Sequence, residues 1–243
     1  MEVLGVIKLS PKLPESENPH VNHRERVKER FAREGLEHFQ PHQILEMILF
    51  YSIPRGDTNV IAHDLLKKFG SLSNVFEADP KDLITVNGIG ENSAAFLSMF
   101  PSVTQRYFAD KWGEKPILDS SAKAGEYMVS LFVGYTYEIF YVVCLDAQNK
   151  VNFSQIVQEG TINEAAIYPR EIVDTVLRHQ AHGVILAHNH PGGSLKPSTA
   201  DIDVTQKIRN ALEPISIHVI DHIIVAGSQY FSFAEKGLFN SSL

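Results

Sequence analysis

His188 and His190 stand at the end of a short apolar run, Gly183-Val-Ile-Leu-Ala187. Pro191-Gly-Gly follows, and then Pro197-Ser198-Thr-Ala-Asp201 opens an apolar-periodic segment. A short apolar run that ends in turn residues reads as a buried strand. Side chains two apart on a strand face the same way, so the two histidines can converge on one point at its C-terminal end. Asp201 falls in the first turn of the next helix, within reach if the intervening turn folds back. Two imidazoles and one carboxylate make a three-ligand set suited to zinc with an open fourth position. The same residues also have a plainer reading. Ser198-x-x-Asp201 before an apolar run fits a helix capping box, and an acid in the first turn suits the helix dipole. Taken alone, the residues leave both readings open.

The elements that must position this set are legible along the chain. Residues 1–22 contain Pro11, Pro14 and Pro19 among polar residues and read as an extended, flexible arm. Alternating charge from His23 gives a surface helix ending at Gly35, with Glu25, Glu29 and Glu34 interleaved among its basic residues. Helices follow from Pro41 and from Thr58, the latter stopped by Gly70, and Asp79-Pro80 starts another. Gly88-Ile89-Gly90 then separates two helical segments. Gly113-Glu-Lys-Pro116 marks a linker between a helical domain at 23–113 and a second domain at 114–243. There a helix from Ser121 precedes a β-rich run, Tyr137 to Asp146, which turns at Asp146-Ala-Gln-Asn149 into a second strand from Val151. A helix from Pro169, the Gly183 strand, a helix from Ile202 to Leu212 and strands within 215–233 complete the order. Strands mixed with helices in this sequence predict an α/β (α+β) sheet domain with its site at strand ends.

Composition excludes several classes. The 243-residue chain is 44% hydrophobic and 21% charged, enough for a core without staples. Its single cysteine, Cys144, rules out a disulfide framework, a Cys-rich zinc finger and the paired-cysteine signature of zinc deaminases. Cys144 lies in the apolar run Ile139 to Leu145 and reads as core packing. The N-terminus has no signal-peptide pattern and no stretch reaches the roughly 20 apolar residues of a membrane span, so a cytoplasmic protein is expected. The net charge of −7 offers nucleic acid no general attraction, and neither half of the chain is basic.

The string His188-x-His190, seven residues, Ser198-x-x-Asp201 resembles the JAMM motif of MPN-domain metalloproteases with every spacing kept. Leu83 to Leu97, with the Gly88-Ile89-Gly90 turn, resembles a helix-hairpin-helix motif. In that motif turn amides at a helix N-terminus can grip a nucleic-acid phosphate, although this chain has Ser93 where a basic residue is usual and Glu91 beside the turn. Together with Tyr168-Pro-Arg-Glu171, Ile185-Leu-Ala-His-Asn-His-Pro191 and Ile220-Asp-His-Ile-Ile-Val225, these segments look like the RadC family over roughly residues 23–240. The resemblance implies an N-terminal helix-hairpin-helix domain followed by a JAMM/MPN-like mixed-sheet domain. It also implies one zinc per chain on His188, His190 and Asp201, and hydrolysis of a peptide or isopeptide bond in a peptide or protein substrate. Ser198 matches the serine that hydrogen-bonds the developing oxyanion. Glu138, at the head of a strand similar to the one that carries the catalytic glutamate, is the expected proton acceptor. Glu159, Glu164 and Glu171 remain as alternatives. The family was named for a proposed role in DNA repair, so the alternative implied is a DNA-associated protein with Gly88, Ile89 and Gly90 as contacts and a structural zinc. Of the remaining residues near the motif, Asp203 faces away from Asp201 on its helix. His218 and His222 lie in or beside a strand, as half-buried histidines or as a partner of a metal ligand.

Overall fold

A computed structural model describes residues 22–160 and 168–239. The arm expected at 1–22, apart from Asn22, and Glu164 lie outside the described residues. The chain divides into two compact units, the first ending at Phe96 and the second beginning at Leu97.

The first unit is helical: α1 (His23–Glu34), α2 (Pro41–Ser52), α3 (Thr58–Phe69), α4 (Leu72–Glu77), α5 (Pro80–Ile84) and the start of α6 (Glu91–Ser98). Local chemistry sets the ends. The Asp57 carboxylate accepts from the amides of Asn59 and Val60 at the head of α3, Asp79 accepts from Lys81 at the head of α5, and Gly70 closes α3 with φ 87°. Leu45, Leu49, Ala62, Leu65, Val75, Leu83 and Ala94 are fully buried between the helices. Helix α1 buries no residue of its own and is held by polar ties. His23 meets the buried Glu46 carboxylate at 2.8 Å, and the Arg24 guanidinium donates to the carbonyls of Ile53, Pro54 and Gly56. The turn between α5 and α6 carries Gly88 at φ 90°, where an added Cβ would lie 2.6 Å from Ile61 Cδ1. That position is glycine for conformation and for packing alike.

The second unit contains α7 (Phe100–Trp112), α8 (Ser121–Leu131), β1 (Ile139–Leu145), β2 (Val151–Glu159), α9 (Pro169–Arg178), β3 (Gly183–Asn189), α10 (Thr199–Leu212), β4 (His218–Ala226) and β5 (Gln229–Ser232). Helix α7 packs on α8, with the Trp112 ring edge-on to Tyr127 at 5.4 Å. The five strands form one mixed sheet in the order β2-β1-β3-β4-β5. Only β3 and β4 pair in parallel, joined through α10, and the remaining neighbours are antiparallel. The β1–β2 hairpin turns where Asp146 Oδ1 accepts the amides of Gln148 (2.8 Å) and Lys150 (2.9 Å).

Alternation along the strands sorts the core into two layers. Ile139, Val143, Leu145, Ile185, Ala187, Ile223 and Val225 pack with Ala124, Met128 and Phe132 on the α8 side. Phe140, Val142, Cys144, Val184 and Leu186 pack with Ile172 and Val176 of α9 and with Ile208 and Leu212 of α10. Strand β3 is buried at every residue because helices cover both faces. His188 belongs to the α9–α10 face by the same alternation, and so lies on the side where α10 carries Asp201. No helix among the described residues is long and apolar enough to cross a membrane.

Candidate metal centre

The strand delivers the two histidines and the helix delivers the acid. His188 is the penultimate residue of β3 and fully buried; His190 lies just past the strand, its amide donating to the Val225 carbonyl at 2.8 Å and so continuing the β3–β4 pairing. The Pro191-Gly-Gly turn is closed by the Gly193 amide donating to the His190 carbonyl (3.0 Å), with Gly193 at φ 84°. That reversal returns the chain to α10. One ligand atom from each of His188, His190 and Asp201 lies within 4.8 Å of the others, a group that could hold a metal ion.

The capping reading of Ser198 and Asp201 is realised as well. The Ser198 amide and hydroxyl both donate to Asp201 Oδ2, at 2.7 and 2.8 Å, and the Asp201 amide donates back to Ser198 Oγ at 3.1 Å. The other carboxylate oxygen, Oδ1, faces His188 Nε2 at 3.1 Å. Burial disfavours the Asp201 charge, but the bond and charge of His188 and the two donors of Ser198 outweigh it and hold the carboxyl below its ordinary range. The acid is therefore an anion.

Hydrogen-bond directions then fix the histidines. Thr205 Oγ1 stands 2.5 Å from the Asp201 carbonyl, and two oxygens that close require the hydroxyl proton between them. Thr205 thus accepts from His222 Nδ1, also at 2.5 Å. His222 is fully buried, and burial followed by the neighbouring His188 pushes it well below the ordinary histidine range, so it is neutral and its Nε2 is bare. His188 Nδ1 donates to that nitrogen at 2.8 Å. His190 Nδ1 can only donate to the Ser194 carbonyl at 2.7 Å. The Nε2 atoms of the two histidines face one another at 2.9 Å, and His188 Nε2 also faces Asp201 Oδ1. Two imidazole nitrogens and a carboxylate oxygen converge on one point, a donor set that could hold a divalent cation. Tetrahedral zinc with bonds of about 2.05 Å separates its ligand atoms by roughly 3.3 Å. The separations here are 2.9 Å between the histidines, 3.1 Å from His188 Nε2 to Asp201 Oδ1 and 3.7 Å from His190 Nε2 to Asp201 Oδ2. The donor set fits the ion.

The other candidates sort by register. Phe140 pairs with His188 and stacks on its ring at 10°. The Glu138 carbonyl still accepts from the Gly160 amide at 2.8 Å, so the backbone remains paired to that point. Glu138, half-buried, lies just before β1, two residues from Phe140, where the pairing with β3 ends at His188. Glu159 pairs with Ile139 and shares the opposite, α8 face. It lies against the Tyr137 hydroxyl, whose pKa is raised by desolvation and then by the Glu159 charge. Glu171 is exposed in the first turn of α9. Asp203 and His218 are exposed. Asp221 is buried and raised by burial, and it serves the β4–β5 edge, accepting from Ser232 Oγ and from the amides of His222 and Ala234. In the helical unit the Gly88-Ile89-Gly90 turn has Ile89 and Ser93 buried, with Gly90 and Glu91 exposed.

Two residues beside the ligands, Thr205 and Asn189, stand outside the metal-ligand spacing. Thr205 lies one helical turn after Asp201, a spacing that puts it on the same face of α10. Asn189 lies between the two histidines and is 5% exposed.

A family model described as the RadC-like JAB domain matches residues 118–238. A UPF0758 protein of Fusobacterium nucleatum subsp. nucleatum is 38% identical over 230 residues, covering 92% of this chain and 99% of its own. UPF0758 proteins of Variovorax paradoxus and Herminiimonas arsenicoxydans are each 34% identical, covering 88% of this chain and 95% of theirs. These names state no activity.

Proposed function

The chain belongs to the RadC family, with a JAB-type domain, and from that premise we propose that it is a zinc-dependent hydrolase of peptide or isopeptide bonds. The observation that carries the proposal is the convergence of His188 Nε2, His190 Nε2 and the Asp201 carboxylate at the end of β3. Zinc bound there supplies Lewis acidity toward water and toward the scissile carbonyl. Glu138 is the acceptor for the water's proton and passes it to the leaving amine. Strand alternation from Phe140, the partner of His188, favours it over Glu159, which pairs with Ile139 on the other side of the sheet. Ser198 aligns the ligand, because its amide and hydroxyl hold Asp201 Oδ2 and turn Oδ1 toward His188. Its single hydroxyl proton is committed to Asp201, so donation to an oxyanion requires the hydroxyl to rotate away from Oδ2.

Metal content by mass spectrometry tests the centre. Protein purified without chelators carries about one zinc per chain, and His190→Ala carries little. Zinc-loaded protein then cleaves members of a peptide and isopeptide library, while Glu138→Gln keeps its zinc and loses cleavage. Wild type without zinc would remove the proposal. The alternative is DNA association through Gly88, Ile89 and Gly90 with a structural zinc. The buried Ser93 and the exposed Glu91 at that turn count against it.

A further inference from the structure

We propose that Asn189 is a positioning residue that fixes Glu138 relative to the two histidines. The inference rests on the reading of Glu138 as the proton acceptor. The Asn189 carboxamide spans both peptide units that flank the Glu138 Cα. The Ile139 amide donates to Asn189 Oδ1 at 2.7 Å, and Asn189 Nδ2 donates to the Tyr137 carbonyl at 2.9 Å. One planar group therefore pins the peptide before residue 138 and the peptide after it, and with them the two backbone torsions that aim the Glu138 side chain.

The location makes this a link and not only a patch on two polar groups. The β1–β3 register is continuous from Leu145↔Gly183 to Phe140↔His188 and stops there. Beyond that point the side chain of Asn189 takes over the pairing. Asn189 is held on one side by His188, the penultimate residue of β3, and on the other by His190, whose amide is tied to Val225. A displacement of the strand end that carries the histidines thus carries the backbone of residue 138 with it. A carboxamide suits the task because it offers an acceptor and a donor about one peptide width apart. Asp would lose the donor, and Ser or Ala cannot reach both peptides.

The test uses the full chain with cobalt in place of zinc and follows the visible spectrum against pH. Glu138→Gln removes a negative charge beside the ion, so the pH midpoint of the spectrum falls by about one unit or more. Asn189→Ala lets the carboxylate drift and moves the midpoint in the same direction by at least half as much. Cobalt affinity stays within about threefold of wild type, since all three ligands remain. The double variant adds nothing to Glu138→Gln. A midpoint that moves in Glu138→Gln and stays at the wild-type value in Asn189→Ala overturns the positioning role. A midpoint unmoved in Glu138→Gln overturns instead the assignment of Glu138 on which the role rests. If Asn189→Ala does not fold, Asn189→Ser, which keeps a polar group at the site but cannot bridge both peptides, is read by the same criteria.

Discussion

Thr205→Val removes one hydroxyl from a buried, nearly isosteric side chain, and its effect on metal affinity can be worked from the proton chain. With His188 Nε2 free to take an ion, the order in wild type runs from His188 Nδ1–H to His222 Nε2, from His222 Nδ1–H to Thr205 Oγ1, and from the Thr205 hydroxyl to the Asp201 carbonyl. Without the hydroxyl, the metal-free variant relaxes by moving every proton one nitrogen along. His222 then donates through Nε2 to His188 Nδ1, and His188 donates through Nε2 to Asp201 Oδ1, 3.1 Å away. This state leaves no buried N–H unpaired, but it puts a proton on the nitrogen that must bind the ion. Zinc can enter only by restoring the original tautomers, which strands the His222 Nδ1–H in a fully buried position. An unpaired buried donor costs about 1–3 kcal/mol. At about 1.4 kcal/mol per factor of ten, that weakens zinc binding by roughly 5- to 150-fold. Because the metal-free protein escapes the penalty, its thermal midpoint changes by only a few degrees. Chelator competition at fixed pH measures the affinity, and Thr205→Ser, which keeps the hydroxyl, stays near wild type. Wild-type zinc affinity in Thr205→Val, accompanied by a large loss of metal-free stability, would refute the reasoning and leave Thr205 a packing residue.

Three further outcomes are expected. Burial pushes the Cys144 thiol up to about 11, so at pH 8.5 its thiolate fraction falls about 100-fold below that of an ordinary cysteine. An aromatic disulfide reagent should label it only through unfolding, and rapid labelling of the native protein would contradict its place in the α9–α10 layer. Gly88→Ala combines a left-handed φ of 90° with a Cβ 2.6 Å from Ile61 Cδ1 and should destabilise the helical unit by about 1–3 kcal/mol in denaturant titration; a neutral result would mean that the turn relaxes freely. Gly90 has open space around it, so Gly90→Glu should fold and leave a weak DNA affinity unchanged, whereas loss of a strong, salt-dependent affinity would restore the hairpin turn as a phosphate grip.

The legible parts of the molecule are those whose causes are local. Asp57 and Gly70 mark α3, Asp79-Pro80 starts α5, and Asp146 with Asn149 makes the β1–β2 turn. Each of these signals acts within four residues, so the chain order alone carries it. The strand-end pair and the capping box are local in the same sense, so the spacing of His188, His190 and Asp201 is legible in chain order. What chain order does not carry is register. His222 reaches His188 because β4 pairs in parallel with β3, with Leu186 opposite His222 and His188 opposite Ile224. A shift of one residue would have turned the imidazole to the α8 face. The same holds for Glu138, whose side of the sheet depends on the Phe140–His188 pairing, and for Asn189, whose partners lie 50 and 52 residues away.

Ser198 and Asp201 answer a question that their spacing leaves open. Cap and ligand look like rival explanations of one motif, and each is sufficient for the residues seen. They are compatible because a carboxylate has two oxygens. Oδ2 takes both Ser198 donors and completes the helix cap; Oδ1 is left toward His188. The cap contributes more than helix stability, since it removes the rotational freedom of the Asp201 side chain before any ion arrives. His188 is held in the same way by His222 and Thr205, and His190 by the Ser194 carbonyl. Thr205 closes the arrangement, since its hydroxyl donates to the backbone of Asp201 while accepting from the histidine that orients His188. One helical turn of α10 thus fixes the acid ligand through its cap and one histidine ligand through its threonine. A metal entering such a site meets ligands already aimed, so less of its binding energy is spent on ordering them.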